Sequence, residues 1–523
     1  MMRKLLAAVV LLIACCAPGF AADLVVGLGA DVTSIDPHLI NLTPNNNIAE
    51  QIFDPLVRRD ARLRLSPGLA ESWHAVDELT WEFKLRRGVK FHDGSELSAA
   101  DVVFSLDRPK WLSSMAGMVG GFLTYTQAIT DKIVVDRHTL RLKTAAPNPY
   151  LPADLMGVMI VSSAAAREAH GAAFDSGKAA VGTGPYKLAR FVKGDRIELE
   201  RNDEYWGGQS PWRKVTFRVI PADAARVAAL LAGDVQVIDN VPTADFVKLK
   251  AHRNLNVFST ASSRLVHLQL DSERDRSPFV TDKSGRPAER NPLRDPRVRQ
   301  AISKAINRAA IVERIMEGMA VPAGQMMPDG FSAVSPSLRP DAYDPDGARK
   351  LLVAAGYPDG FGLSLHGPND RLVNDDQIVQ AIAQMLARVG ISVRVETMPY
   401  SVYITRARNL EFSAVLQSWA ATSEATMPLR FVAATFDKDK GLGAFNFGRY
   451  SNPKADKLLA QALTTIDDGR RETLLREATE LVIGDYGIIP LHFQSSSWAT
   501  RKPLAYEPRS DERTYAHSVR SGS

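Results

Sequence analysis

Between Asn369 and Pro428 the apolar residues change period three times, from helical to alternating, back, and to alternating again. Ile378, Ala381, Ile382, Met385, Leu386 and Val389 fall three and four apart, which predicts an amphipathic helix, with Gly390 as a permissive residue at its C-terminal end. Ile391 to Thr397 alternates and predicts a strand. A second helical segment around Tyr403 to Asn409 and a strand, Phe412 to Gln417, follow and lead into Ser418, Trp419 and a polar loop reaching Glu424. Alternating helix and strand is the unit of an α/β lobe, and such lobes bind ligands beyond the carboxyl ends of their strands. Arg371, in the polar stretch before the first helix, and the loop led by Trp419 are therefore expected to face one crevice. On residue type alone Arg371 reads equally well as a solvated loop arginine, Trp419 as core and Glu424 as a surface carboxylate.

The N-terminus predicts export. Arg3 and Lys4 form a charged region, Leu5 to Ile13 an apolar one, and Gly19, Phe20 and Ala21 a small-x-small cleavage site before Ala22. Leu12 to Cys15 also fits a lipoprotein box, in which Cys15 would be acylated. Cleavage after Ala21 is preferred, because Pro18, Gly19 and small residues lie where a peptidase site needs them. No later apolar stretch approaches the ~20 residues of a membrane span, so the mature chain is expected to be soluble and periplasmic. Both cysteines, Cys15 and Cys16, fall in the leader. Processing thus removes disulfides, thiolate metal ligands and cysteine nucleophiles, and stability must come from the core.

The formal net charge of +5 drops by two with the loss of Arg3 and Lys4. Basic and acidic residues are interspersed, with no polybasic run and no zinc-finger spacing, so nucleic acid is not an expected partner.

Asp23 to Gly29 predicts a buried strand; its two glycines lack the third that a dinucleotide turn requires, and Asp36-Pro37 interrupts the helix that would follow. Asn41 to Asn47 is a polar turn entering a helix that ends near Asp54-Pro55. Thr43 and Asn45 are candidate ligand contacts there, with helix capping by Asn45 or Asn46 as the alternative. Trp81 to Leu85 alternates as a strand, Val89 to Phe91 resumes it, and Ser98 to Asp101 forms a capping box. Val215 to Val219, a helix from Asp223 to Leu231 stopped by Gly233, and Val235 to Ile238 make a βαβ unit. Asp295-Pro296 caps and starts a helix predicted to run through Gly318; Asp344-Pro345 and Asn452-Pro453 repeat that device.

Several long motifs carry a resemblance. Pro67 to Trp73, then Trp81 to Gly94 (WEFKLRRGVKFHDG) and Ala100 to Ser105 closely resemble the signature region of the family 5 extracellular solute-binding proteins, the peptide-, nickel- and glutathione-type receptors of ABC importers. Gly182 to Leu188, Arg201 to Trp206, Arg297 to Ile302, Asn446 with Tyr450 to Pro453, and Gly484 to Leu491 are similar to further parts of that family.

The resemblance implies an α/β, periplasmic-binding-protein-like fold of the second type: two lobes with an extra domain inserted in lobe one. Residues 1–21 would be the signal peptide, 22–57, 185–269 and 490–523 lobe I, 58–184 the inserted domain and 270–489 lobe II. Chain crossings near residues 270 and 490 would form the hinge. It further implies a periplasmic receptor that captures a small peptide or peptide-like solute and delivers it to an inner-membrane permease with its ATPases, working as a monomer without a cofactor. A nickel chelate, an oligosaccharide or an opine-like acid is the alternative ligand on the same fold.

Arg371 resembles the family's carboxylate-binding arginine, whose planar fork suits a carboxylate. Thr422 stands where peptide receptors of the family place an aspartate for the ligand's ammonium, and a hydroxyl cannot neutralise a buried charge. Thr422-Ser423-Glu424-Ala425 resembles the loop of glutathione-type receptors, which makes Glu424 the substitute carboxylate, with Ser423, Trp419 and Asn446 as neighbouring contacts. Enzyme readings find little: the ten histidines are scattered, without His-Glu-x-x-His, a Gly-x-Ser-x-Gly elbow or paired metal-ligand spacing. A periplasmic peptidase is the remote alternative.

Overall fold

The computed structural model describes residues 23–115, 121–421 and 424–522. The leader with Cys15, and the loop residues Thr422 and Ser423, lie outside the described residues.

One sheet of 12 strands runs through the molecule. Its spatial order is Tyr186–Val192, Arg196–Arg201, Lys214–Val219, Leu24–Leu28, Val237–Asp239, Ile489–Arg501, Leu255–Leu270, Ala414–Ala420, Phe361–Pro368 and Val280–Thr281. Ala320–Pro322 adds beside Ile489–Arg501, and Ile391–Met398 beside Phe361–Pro368. The two central strands, of 16 and 13 residues, pass between two hydrophobic cores. Leu24, Ile48, Phe53, Phe217 and Trp498 belong to one core; Val266, Ile302, Ile382, Leu416 and Leu491 belong to the other. Leu56, Phe83, Val102 and Leu142 form a third, under a separate four-stranded antiparallel sheet between Ala70 and Thr144.

The ladder between the central strands is interrupted. Leu255 to Ala261 pair with Arg501 to Ser495, and pairing resumes only at Leu265 opposite Phe493. The intervening Ser262, Ser263 and Arg264 are buried polar residues.

Local chemistry explains several helix boundaries. Asp295 accepts from the Arg297 amide at 2.9 Å, Asp344 from Gly347 at 2.8 Å and Asn452 from Lys454 at 3.0 Å, each with proline in the first turn, as predicted. The helix predicted from Pro296 through Gly318 is instead two, Pro296–Ala305 and Arg308–Arg314. Ile306 turns extended, with φ −92° and ψ 116°, and the Asn307 carboxamide accepts from the Ala310 amide at 2.9 Å, so it caps a new helix rather than continuing the old one. The 43–52 helix is capped by neither Asn45 nor Asn46, since Leu42 occupies the cap and Pro44 the first turn. Behind its end, Gly184 donates to the Ile52 carbonyl at 2.9 Å, and a Cβ on Gly182 would sit 2.1 Å from that oxygen, so only glycine allows this segment to pack there.

The predicted helix, strand, helix and strand are present as Asp375–Ala387, Ile391–Met398, Tyr400–Arg408 and Ala414–Ala420, with Gly390 at φ 95°; a further strand, Phe361–Pro368, precedes them and runs parallel to Ile391–Met398. Two extents differ from expectation. The last strand runs on through Trp419, which pairs with Leu265, so Trp419 is a sheet residue and not the head of a loop. Val89 to Phe91 forms only an isolated bridge, Lys90 with Glu96.

Candidate functional site between the lobes

The break in the central ladder borders a cleft. Ser263, Arg264, Thr43, the turn from Ala153 to Gly157, Ala420 with Ala421, and Ser510 to Arg513 line a cavity of about 210 Å³. A second chamber of about 280 Å³ shares Thr43, Arg264 and Glu512 with the first, and adds Asp239, Arg371 and Gln494.

The shared wall is an ion pair. Arg264 donates through Nε to Glu512 Oε1 at 2.9 Å and through Nη2 to Oε2 at 2.7 Å. Burial pushes the Glu512 carboxyl up, but Arg264 overrides it and holds it below the usual range, with Arg371 adding to the effect. Glu512 takes φ 63°, a left-handed conformation uncommon for a side-chain-bearing residue. Asp511 meets Arg59 at 3.1 Å and Arg509 at 2.6 Å, and Arg513 pairs with Glu50. The C-terminal segment thus threads a chain of charges along the cleft floor.

Arg371 enters the second chamber from a turn fixed by Asp375, whose Oδ2 accepts from the Arg371 and Leu372 amides at 3.1 and 2.9 Å. Its guanidinium lies 5.5 Å from the centre of the Tyr400 ring. Among the described residues no carboxylate reaches ion-pair distance of it. Desolvation by the surrounding protein, then repulsion from Arg264, hold its pKa below the ordinary arginine value. A cation in this condition gains from an incoming carboxylate.

Thr43, the other expected contact in the cleft, is exposed and borders both chambers. Asn45 is buried and donates to Ser34 O at 3.0 Å and Thr33 Oγ1 at 3.2 Å, away from the lining. Asn446 spends both amide hydrogens on the carbonyls of Ala434 and Tyr450, at 2.9 and 2.7 Å, and so organises its own loop. Trp419 packs against Phe431 and Phe445, with ring centres 5.6 and 5.1 Å away, beneath the lining residues Ala420 and Ala421. Glu424 stands 3.6 Å from Arg471 and accepts from Thr426 Oγ1 at 2.8 Å. Burial raises its pKa and Arg471 opposes that rise, so its charge has an internal counterion.

Sequence reasoning missed Arg264, Glu512, Asp154 and Asp239. Arg264 had a signal, a lone Lys/Arg/Asp/Glu charge within the strand Leu255–Leu270; Glu512 sits in the Arg509–Arg513 run, which reads as a solvated tail. Burial pushes the Asp154 carboxyl up to about 7, against Arg430, and that of Asp239 up to about 6, against Arg226.

Two α/β cores joined by crossing strands, with a charged, chambered cleft between them, are the architecture of a protein that encloses a small solute. The chain belongs to the bacterial extracellular solute-binding proteins, family 5, whose model for the family's middle region matches residues 64–443. The glutathione-binding protein GsiB of Escherichia coli (strain K12) is 30% identical over 493 residues, covering 92% of this chain and 90% of that protein. The periplasmic binding protein DppA from Helicobacter pylori, solved in complex with peptide STSA, superposes with TM-score 0.73 at 24% identity over 96% of this chain and 98% of that one. MoaA from A. tumefacien R10, in complex with mannopinic acid, gives 0.74 at 25% identity over 96% and 100%. The fold is the two-lobed, second-type periplasmic-binding-protein fold, and the chain is an extracellular solute-binding protein.

Proposed function

We propose that this receptor works in the periplasm, takes a small peptide or γ-glutamyl solute such as glutathione between its lobes, and hands it intact to an inner-membrane permease with its ATPases. The observation that carries this reading is Arg371, an arginine in the interlobe cleft without a carboxylate partner among the described residues. The names of the relatives, a glutathione-binding protein and a peptide-bound receptor, support the same ligand class. We assign 22–57, 185–269 and 490–523 to one lobe, 270–489 to the other and 58–184 to the added domain. We place the hinge at the chain crossings near residues 270 and 490, beside the stretch 262–264 where pairing between the two central strands is interrupted.

An opine-like acid is the second reading. It is favoured by the pairing of Glu424 with Arg471, which leaves that carboxylate no task for a ligand ammonium. Gentle purification from the native periplasm, denaturation and mass spectrometry of the released molecule test both. A peptide or γ-glutamyl compound supports the first, an opine-like acid the second, and a neutral sugar overturns the role of Arg371.

A further inference from the structure

Charges in the first chamber come in pairs with one exception. Glu50 is held by Arg513, Asp511 by Arg59 and Glu512 by Arg264. Asp154, on the turn at the end of the short Leu151–Asp154 helix, lines the same cavity half-buried. Among the described residues it has neither an ion pair nor a side-chain hydrogen bond, and it lines the cavity. We propose that Asp154 receives the cationic end of the solute, so that the ligand is a zwitterion with its carboxylate at Arg371 and its ammonium at Asp154. This assignment rests on the peptide reading above.

Three observations carry it. A carboxylate partly desolvated by protein without a paired cation is costly, and the raised pKa of Asp154 is the expression of that cost; the cation opposing it, Arg430, lies outside ion-pair distance. An ammonium brought by the solute removes the penalty, just as a carboxylate does for Arg371. The competing carboxylates are engaged: Glu424 by Arg471, and Asp239, buried, by the Gly29 amide at 2.7 Å. Finally, Asp154 lines only the first chamber and Arg371 only the second, with the Arg264–Glu512 pair and Thr43 between them. The two ends of the ligand therefore lie in different chambers, which disfavours a free α-amino acid.

The test is calorimetric titration of the mature, full-length protein with glutathione, dialanine and trialanine, and with the N-acetylated form of each. The wild type is expected to bind at least one free-amine form and to bind its acetylated form about 10- to 100-fold more weakly, as loss of a charge-assisted contact requires. Asp154→Asn, close in shape to the native residue, should lose a similar factor for the free amine and no longer distinguish the acetylated form. Equal binding of the two forms by the wild type, or unchanged affinity in Asp154→Asn, overturns the assignment. If Arg371→Ala weakens binding while Asp154→Asn does not, the peptide reading stands and the role of Asp154 falls. Binding of none of the six compounds by the wild type overturns the peptide reading and Asp154 with it.

Discussion

Arg264 grips Glu512 two-on-two across 248 residues of sequence, at 2.9 and 2.7 Å, joining the interrupted point of a central strand to the C-terminal segment. Bidentate pairing of this kind is among the stronger polar contacts a protein makes, and here it also divides the cleft into chambers. Because the side chains are only 9% and 23% exposed, neither charge has water as an adequate substitute for the other.

Removing the Glu512 carboxylate should therefore cost about 3–5 kcal/mol of stability, since a mostly buried arginine is left without a counterion. Glu512→Gly is expected to be more stable than Glu512→Ala by about 1 kcal/mol, because only glycine takes φ 63° without penalty. Urea denaturation of both variants checks this; an alanine variant as stable as the wild type would mean that the pair contributes little.

Arg371→Ala should weaken ligand binding by about 10- to 100-fold, the worth of one charge-assisted pair. The unliganded protein should lose little stability, because Arg264 repels Arg371 in the empty cleft. Arg371→Lys restores the charge but not the fork, and intermediate affinity is expected. Titration calorimetry and a melting curve separate the two effects.

Glu424→Gln is expected to act in the opposite sense: loss of about 1–3 kcal/mol of stability from the broken Arg471 contact, and affinity unchanged within about twofold. A large fall in affinity with an unchanged melting point would return Glu424 to the ligand.

Asp154 sets a pH dependence. Its folded pKa of about 7 exceeds the unfolded value of 3.8, so between them the folded protein binds more protons than the unfolded chain. This group's contribution to stability is complete below pH 3.8 and is lost as pH rises to about 7, with Arg430 limiting the effect. Asp154→Asn should flatten that part of the unliganded stability profile. A ligand ammonium draws the pKa down, so binding at pH 7 should release about half a proton, readable by calorimetry in buffers of different ionisation enthalpy.

Asn307→Ala should destabilise the protein by about 1 kcal/mol through loss of the cap that separates two helices. A denaturation midpoint equal to that of the wild type would show the break to be imposed by packing alone.

What was legible in the sequence was what local chemistry decides. Cap-then-proline at Asp295, Asp344 and Asn452 places helix starts within a residue, because donor and acceptor lie two or three positions apart. Asn307 is a capping residue type as well, but no proline follows it, and the apolar spacing continues past it through Ile311 and Ile315 and masks the break. The extension of the strand to Trp419 depends on pairing with Leu265, more than a hundred residues away, which no local pattern records. The cleft fared likewise. Arg371 and Thr43 were identifiable as candidates, whereas Asp154 and Glu512 differ from solvated carboxylates only in what the fold brings near them.

The central strand Ile489–Arg501 and the cleft residue Glu512 both lie near the end of the chain. A nascent polypeptide therefore carries nearly all of both lobes before it owns the strand that unites them or the carboxylate that neutralises Arg264. Assembly of the cleft therefore has to follow synthesis of residues 489–512, and a chain cut short of them lacks both the uniting strand and the partner of Arg264.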